Sequence, residues 1–209
     1  MKQTTVIRRI LASLLVLAMV CGLCACGKED APVTPSDDYT QVAEEFLKAY
    51  YLRDYVKQYS MTFFDARQRR EDALIQQEGS AEAFFAYAQK QAKDEHNLDV
   101  SIQSFDDYFN AYHQFYLESA KDVYGAYTME VKTTAVKKLE GSILATFIDK
   151  QLEALDEKYV DVNAYRAITD AYLLTVNIAI DGEKKDYNEN YLVYVVYHNS
   201  RWWVAEHSA

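Results

Sequence analysis

Residues 168–205 read ITDAYLLTVNIAIDGEKKDYNENYLVYVVYHNSRWWVA, and their hydrophobic period is two. Tyr172, Leu174, Val176, Ile178 and Ile180 fall on one side of an extended chain, and Leu173, Thr175, Asn177 and Ala179 on the other. Successive side chains of a strand point to opposite faces, so 168–180 reads as a strand. Asp181-Gly182 is a hairpin signal, residues 190–197 pair back, and Asn199-Ser200 makes a tighter turn into a last strand over 201–205. Tyr191, Tyr194 and Tyr197 sample both faces of their strand. Trp202 and Trp203 point to opposite faces of theirs, so one core cannot hold both.

Working back from this meander, residues 126–137 alternate again, with Tyr127, Met129, Val131 and Thr133 on one side, and predict a half-exposed strand. Between the two lies a helical pattern over 142–158, with Ile143, Phe147, Leu152 and Leu155 apolar. Everything before residue 126 has helical spacing. A first helix spans 39–59, with Val42, Phe46, Ala49 and Tyr50 in register, and a second spans 64–78, stopped by Gly79. Ser80 caps a third, with Phe84, Phe85, Ala88 and Ala92 on its apolar side. The fourth runs from Ile102 to Val123 with Phe105, Phe109, Tyr112 and Tyr116 in steps of three and four. Ser104 and Asp107 resemble a capping box at its start. Phe109, Tyr112 and Tyr116 are expected to face the sheet. Helices segregated from an antiparallel meander make the class α+β, with N-terminal helices packed on a curved antiparallel sheet.

The chain has 209 residues, 50% of them hydrophobic and 26% charged, which suits one domain over 39–209 and excludes a fibre or a wholly disordered chain. Its net charge is −10, so it lacks the basic surface that nucleic acid requires. Residues 27–38, GKEDAPVTPSDD, hold both prolines of the protein and read as a flexible tether over 26–38.

The first 25 residues read as a signal peptide. Lys2, Arg8 and Arg9 form a positive n-region, and the stretch from Ile10 to Val20 carries no charge. Leu23-Cys24-Ala25-Cys26 follows. Cys21 and Cys24 are preceded by Val20 and Leu23, whereas Cys26 has Ala25 at −1 and Leu23 at −3. This arrangement resembles a bacterial lipobox. The resemblance implies cleavage between Ala25 and Cys26 and a diacylglyceryl group on the Cys26 sulfur. The mature chain then keeps one cysteine and forms no internal disulfide. Cleavage removes three basic residues and no acidic one, which takes the side-chain charge to −13.

The stretches 127–138 (YTMEVKTTAVKK), 170–182 and 191–204, the last ending in Arg201-Trp202-Trp203-Val204, resemble the NTF2-like (cystatin-superfamily) fold. More narrowly, the chain is similar to the small NTF2-like lipoproteins of Firmicutes. The resemblance covers residues 126–206 well and 39–59 loosely, and residues 60–100 depart from it with more helix. It implies a sheet wrapped around helices, leaving a conical cavity, and no particular chemistry.

No HExxH, GxSxG, P-loop or GxGxxG pattern is present, and His96, His113, His198 and His207 stand at no metal-binding spacing. No metal or cofactor is expected. The 29 aromatic residues all lie outside the first 25 positions. Tyr and Trp join an apolar body to a polar tip, which suits a ligand surface as well as a core. Tyr112, His113 and Tyr116 on the long helix, with Tyr172, Tyr194 and Trp202 on the strands, are the pocket candidates. Asp170 joins them because an NTF2-like cavity implies a strand-end carboxylate near its mouth. The expected function is a non-catalytic binding or interaction module, lipid-anchored at the outer face of the cell membrane. Its partner is a small ligand, a glycan or another envelope protein. The alternatives are a cavity enzyme of isomerase or dehydratase type using an Asp or His with Tyr, and a structural envelope domain.

Overall fold

The computed structural model describes residues 37–208, so the expected signal peptide, Cys26 and the tether up to residue 36 lie outside the described residues. Among the described residues five helices come first: α1 (Asp37–Tyr51), α2 (Tyr55–Tyr59), α3 (Ala66–Glu78), α4 (Ala81–His96) and α5 (Phe105–Tyr124). β1 (Tyr127–Lys138) is followed by α6 (Gly141–Ala154), a 3-10 turn (Glu157–Tyr159) and α7 (Val162–Arg166). β2 (Asp170–Gly182), β3 (Tyr187–His198) and β4 (Arg201–Ser208) complete the described elements. The strands stand in the order β1-β2-β3-β4, antiparallel throughout, and the class is α+β.

Both faces of the sheet are covered. On the inner face, Ala43, Phe46 and Leu47 of α1 pack on Leu174, Val176, Ile178, Val193 and Val195. On the outer face, Phe147 and Ile148 of α6 and Tyr165 of α7 pack on Ala171, Val196 and Ala205. Burying one such large side chain is worth about 1.5–3 kcal/mol. Trp202 joins the inner cluster and Trp203 the outer, as their adjacency requires. A third cluster, built by Leu74, Phe84, Ala88, Ile102 and Phe109, joins α3, α4 and α5 to Tyr55 and Tyr59 of α2.

The sheet edges are partly closed by neighbouring chain. At β4, Val204 N donates to Met61 O and Phe63 N donates to Val204 O, both at 2.8 Å. At β1, the register shifts between Thr133 and Ala135, and Thr133 N donates to Glu44 Oε1 at 2.7 Å. Unpaired edge groups invite pairing with other chains, and these contacts satisfy some of them.

Several elements depart from the sequence reading. The helix expected over 39–59 breaks at 52–54. Arg53 N donates to Tyr50 O at 3.2 Å and Asp54 N to Ala49 O at 2.8 Å, the paired bonds of a Schellman close. Arg53 takes the left-handed position with φ +58°, and its guanidinium lies over the rings of Tyr50 and Tyr116 at 5.3 and 5.4 Å. Asp54 then caps α2, its carboxylate accepting from Lys57 N at 3.1 Å. The long helix starts at Phe105, not at Ile102, because Ser104 Oγ accepts from Asp107 N at 3.2 Å. Its Phe109 is buried in the all-helical cluster rather than against the sheet. The sheet's inner face is already filled by α1.

The helix expected to reach 158 ends at Ala154. Asp156 caps the 3-10 turn and Asp161 caps α7, each accepting from backbone N–H groups ahead of it. On α6 the buried positions are Phe147, Ile148 and Gln151, and Ile143 is 51% exposed. Asp181-Gly182 is no two-residue turn: β2 continues through Gly182, which pairs with Tyr127, and the loop spans 183–186. Gly182 is needed for close approach, since a Cβ there would stand 2.8 Å from Tyr124 O and 2.6 Å from Lys185 O. The Asn199-Ser200 turn is the expected tight one, with φ of +51° and +61°.

Candidate functional site

One transverse row of the sheet carries the site. Lys137 of β1 pairs with Leu173 of β2, Leu173 with Tyr194 of β3, and Tyr194 with Glu206 of β4. Registered partners share a face, and this row is on the outer face. A bulge places its last member. The β3–β4 register shifts between Tyr194 and Val195, so Val204 lies inward, Ala205 and Glu206 both lie outward, and His207 returns inward. Bulges re-aim side chains in this way. In an unbroken ladder Glu206 and His207 would exchange faces.

Helix α6 lies over the row and leaves a cleft of about 370 Å³, lined by Lys137, Leu173, Tyr194 and Glu206 below and Phe147 and Gln151 above. The Phe147 and Tyr194 rings stack at 4.9 Å and 12°. Gln151, only 7% exposed, donates from Nε2 to Glu206 Oε2 at 2.6 Å. Burial pushes the Glu206 carboxyl above the usual carboxylate range, and the Gln151 hydrogen bond and the Lys150 charge pull the other way. Lys137 and Lys150 line the cleft exposed, and among the described residues neither forms an ion pair. Behind Glu206, Tyr165 is 1% exposed, and its hydroxyl has no hydrogen-bond partner among the described residues. Burial and the Glu206 charge both push its phenol pKa up.

The residues singled out from sequence stand in four places. Tyr194 is in the cleft. Tyr172 and Trp202 pack with Tyr39 on the inner face, Tyr39 and Tyr172 stacking at 4.4 Å. Asp170 lies at the start of β2, partly exposed, 3.6 Å from Lys138 Nζ. Tyr112, His113 and Tyr116 stay on α5: Tyr112 lies 5.9 Å from Tyr55, His113 Nδ1 is 2.6 Å from Leu52 O, and Tyr116 flanks Arg53. These groups do not converge on one pocket. At the centre of the inner face, the space is filled by α1 side chains.

Sequence reading passed over Lys137, Lys150, Gln151, Tyr165 and Glu206. It also passed over His207, whose ring lies edge-on to Phe46 at 5.0 Å and Tyr50 at 4.4 Å. Burial, with the Arg53 charge behind it, pushes the His207 imidazole down to about 4. The available signal was the alternation of β4. Continued past residue 205, it puts Glu206 and His207 on the wrong faces, because the bulge has no mark in the sequence.

Among the described residues, no group of three or more His, Cys, Asp or Glu is placed to hold a metal ion, and no helix is long and apolar enough to cross a membrane. Compared with protein-family models, with curated proteins and with solved structures, the chain matches none.

Proposed function

We propose that this chain is a lipid-anchored extracytoplasmic binding module, without catalysis, that takes a small ligand in the groove between α6 and the outer face of the sheet. The observation that carries this reading is the Lys137–Leu173–Tyr194–Glu206 row beneath a 370 Å³ cleft. Small-molecule sites are concave, mostly apolar, and marked by a few placed polar groups. The anchor rests on Leu23, Ala25 and Cys26 after the apolar stretch. Two acyl chains on one cysteine hold firmly, and an acidic body of −13 stands off from an anionic membrane. We further read the chain as an NTF2-like lipoprotein in which α1 occupies the conical cavity and binding moves to the opposite face.

Two experiments test the reading. Cys26→Ser abolishes incorporation of a fatty-acid probe; undiminished labelling contradicts the anchor. Anilinonaphthalenesulfonate, an apolar fluorescent anion, binds the wild-type groove. Thr146→Trp, an exposed α6 position lining the cleft, removes that binding without unfolding the domain. Full dye binding by folded Thr146→Trp contradicts the groove.

One observation favours a second reading, proton-transfer chemistry of the isomerase or dehydratase type. A carboxyl raised by burial, Glu206, lies near the Tyr165 hydroxyl, which has no hydrogen-bond partner among the described residues. Against it, Tyr165 is 1% exposed and presents no surface to a substrate.

A further inference from the structure

The two ends of the transverse row differ in charge, and its middle is apolar. Glu206 closes one end. Its Oε2 is taken by Gln151, and its Oε1 accepts no hydrogen bond from a described residue. No cation lies within ion-pair distance of it among the described residues. A partly buried carboxylate without a cationic partner is costly, and a cation brought by a ligand relieves that cost. Lys137 closes the other end, exposed and without an ion pair among the described residues. Leu173 and Tyr194 lie between them, under Ile143 and Phe147.

We infer that the ligand of this groove is a short apolar peptide with both ends free, its α-ammonium at Glu206 and its carboxylate at Lys137. The inference rests on the groove reading above and deepens it. Three interstrand steps of about 4.8 Å separate the backbones of Lys137 and Glu206 by roughly 14 Å. An extended peptide advances about 3.3–3.6 Å per residue, so three residues with the reach of the lysine side chain fill that span. A fatty acid satisfies Lys137 and leaves Glu206 without a cation. A long-chain amine does the reverse. Only a ligand with opposite charges at its two ends answers both.

The groups facing Glu206 are Gln151 and Lys150 from α6, Tyr165 from α7 and Tyr194 from β3. Lys150 is exposed and already opposes the effect of burial on Glu206, so it weakens the attraction for an ammonium without cancelling it. Burial holds the Glu206 carboxyl above its ordinary range, and an ammonium beside it favours the ionised form. Peptide binding therefore weakens as pH falls through the Glu206 pKa.

The test is displacement of anilinonaphthalenesulfonate from the full-length mature domain by the tripeptide leucyl-alanyl-leucine, compared with its N-acetylated and C-amidated forms. The free tripeptide displaces the dye, and blocking either end weakens displacement roughly tenfold, the worth of one charge-assisted contact. Glu206→Gln abolishes the difference between free and acetylated peptide, and Lys137→Met abolishes the difference between free and amidated peptide. Lys137 is exposed, so its variant folds whatever the fate of Glu206→Gln. Equal displacement by all three peptides overturns the inference. Dye binding that is lost in Thr146→Trp yet unaffected by any peptide also overturns it, and leaves the groove standing. Dye binding undiminished in Thr146→Trp overturns both.

Discussion

Gln151 Nε2 donates to Glu206 Oε2 at 2.6 Å, joining α6 to the edge strand β4 at the end of the groove. The bond ties helix to sheet where the outer core gives way to the cleft, and it partly offsets the cost of burying Glu206. Gln151→Ala removes the donor and leaves the carboxylate desolvated. The expected loss is about 1–3 kcal/mol near pH 8, with the Glu206 pKa rising further. A carboxyl whose folded pKa lies above its unfolded value penalises the fold above the folded pKa. That penalty is relieved as pH falls below the unfolded value. The destabilisation therefore shrinks near pH 4. Urea unfolding at both pH values, with NMR titration of the Glu206 carboxyl, checks this. An unchanged Glu206 pKa contradicts it.

His207, its neighbour on the other face, carries the opposite sign. Its folded pKa of about 4 is depressed below an unfolded value of about 6.5. Its contribution is present above the unfolded value and lost as pH falls toward 4, about 2 kcal/mol of it between pH 7 and pH 5. Glu206 acts in the opposite sense, so the comparison with His207→Phe isolates the imidazole. The variant is expected to lack this part of the pH dependence. Parallel stability curves for the two proteins from pH 7 to 5 contradict the burial of His207.

Phe109 is 1% exposed and touches the rings of Tyr55, Tyr59, Phe105 and Tyr108. Phe109→Ala should cost about 3–5 kcal/mol. The loss falls on the helical cluster, so amide exchange accelerates in α3–α5 more than in β2 and β3. A melting curve within a degree of wild type refutes this burial.

Gly182→Ala tests the corrected hairpin. The added Cβ meets the carbonyl oxygens of Tyr124 and Lys185, which are backbone and cannot turn aside. A loss of about 1–3 kcal/mol follows, read as a lower midpoint in urea. An unchanged midpoint returns Gly182 to the role of an ordinary turn residue.

The meander was legible because a period of two leaves little freedom. Once Leu174, Val176 and Ile178 face one way, Leu173 and Thr175 must face the other. The caps at Ser80 and Ser104 were legible because a hydroxyl three residues before a backbone N–H satisfies an orphan donor locally. The break at Arg53 was not, since the left-handed position there holds an arginine, steadied by Tyr50 and by Tyr116 from a helix sixty residues away. The partner of α5 was not legible either. An apolar stripe states that something covers it, and the choice between sheet and helices depended on α1 filling the inner face. The groove was hidden for a similar reason. Tyr194 was in view, but Glu206 reaches the same face only through a bulge, and Gln151 reads as a polar surface residue until α6 is laid across the sheet.

The most direct test of the groove is chemical-shift mapping of the isotope-labelled mature domain titrated with anilinonaphthalenesulfonate. The account predicts shifts clustered at Lys137, Phe147, Gln151, Tyr194 and Glu206, with Tyr112, His113, Tyr116, Tyr172 and Trp202 unmoved. Shifts clustered on α5 or on the inner face, with the α6 groove silent, would contradict it.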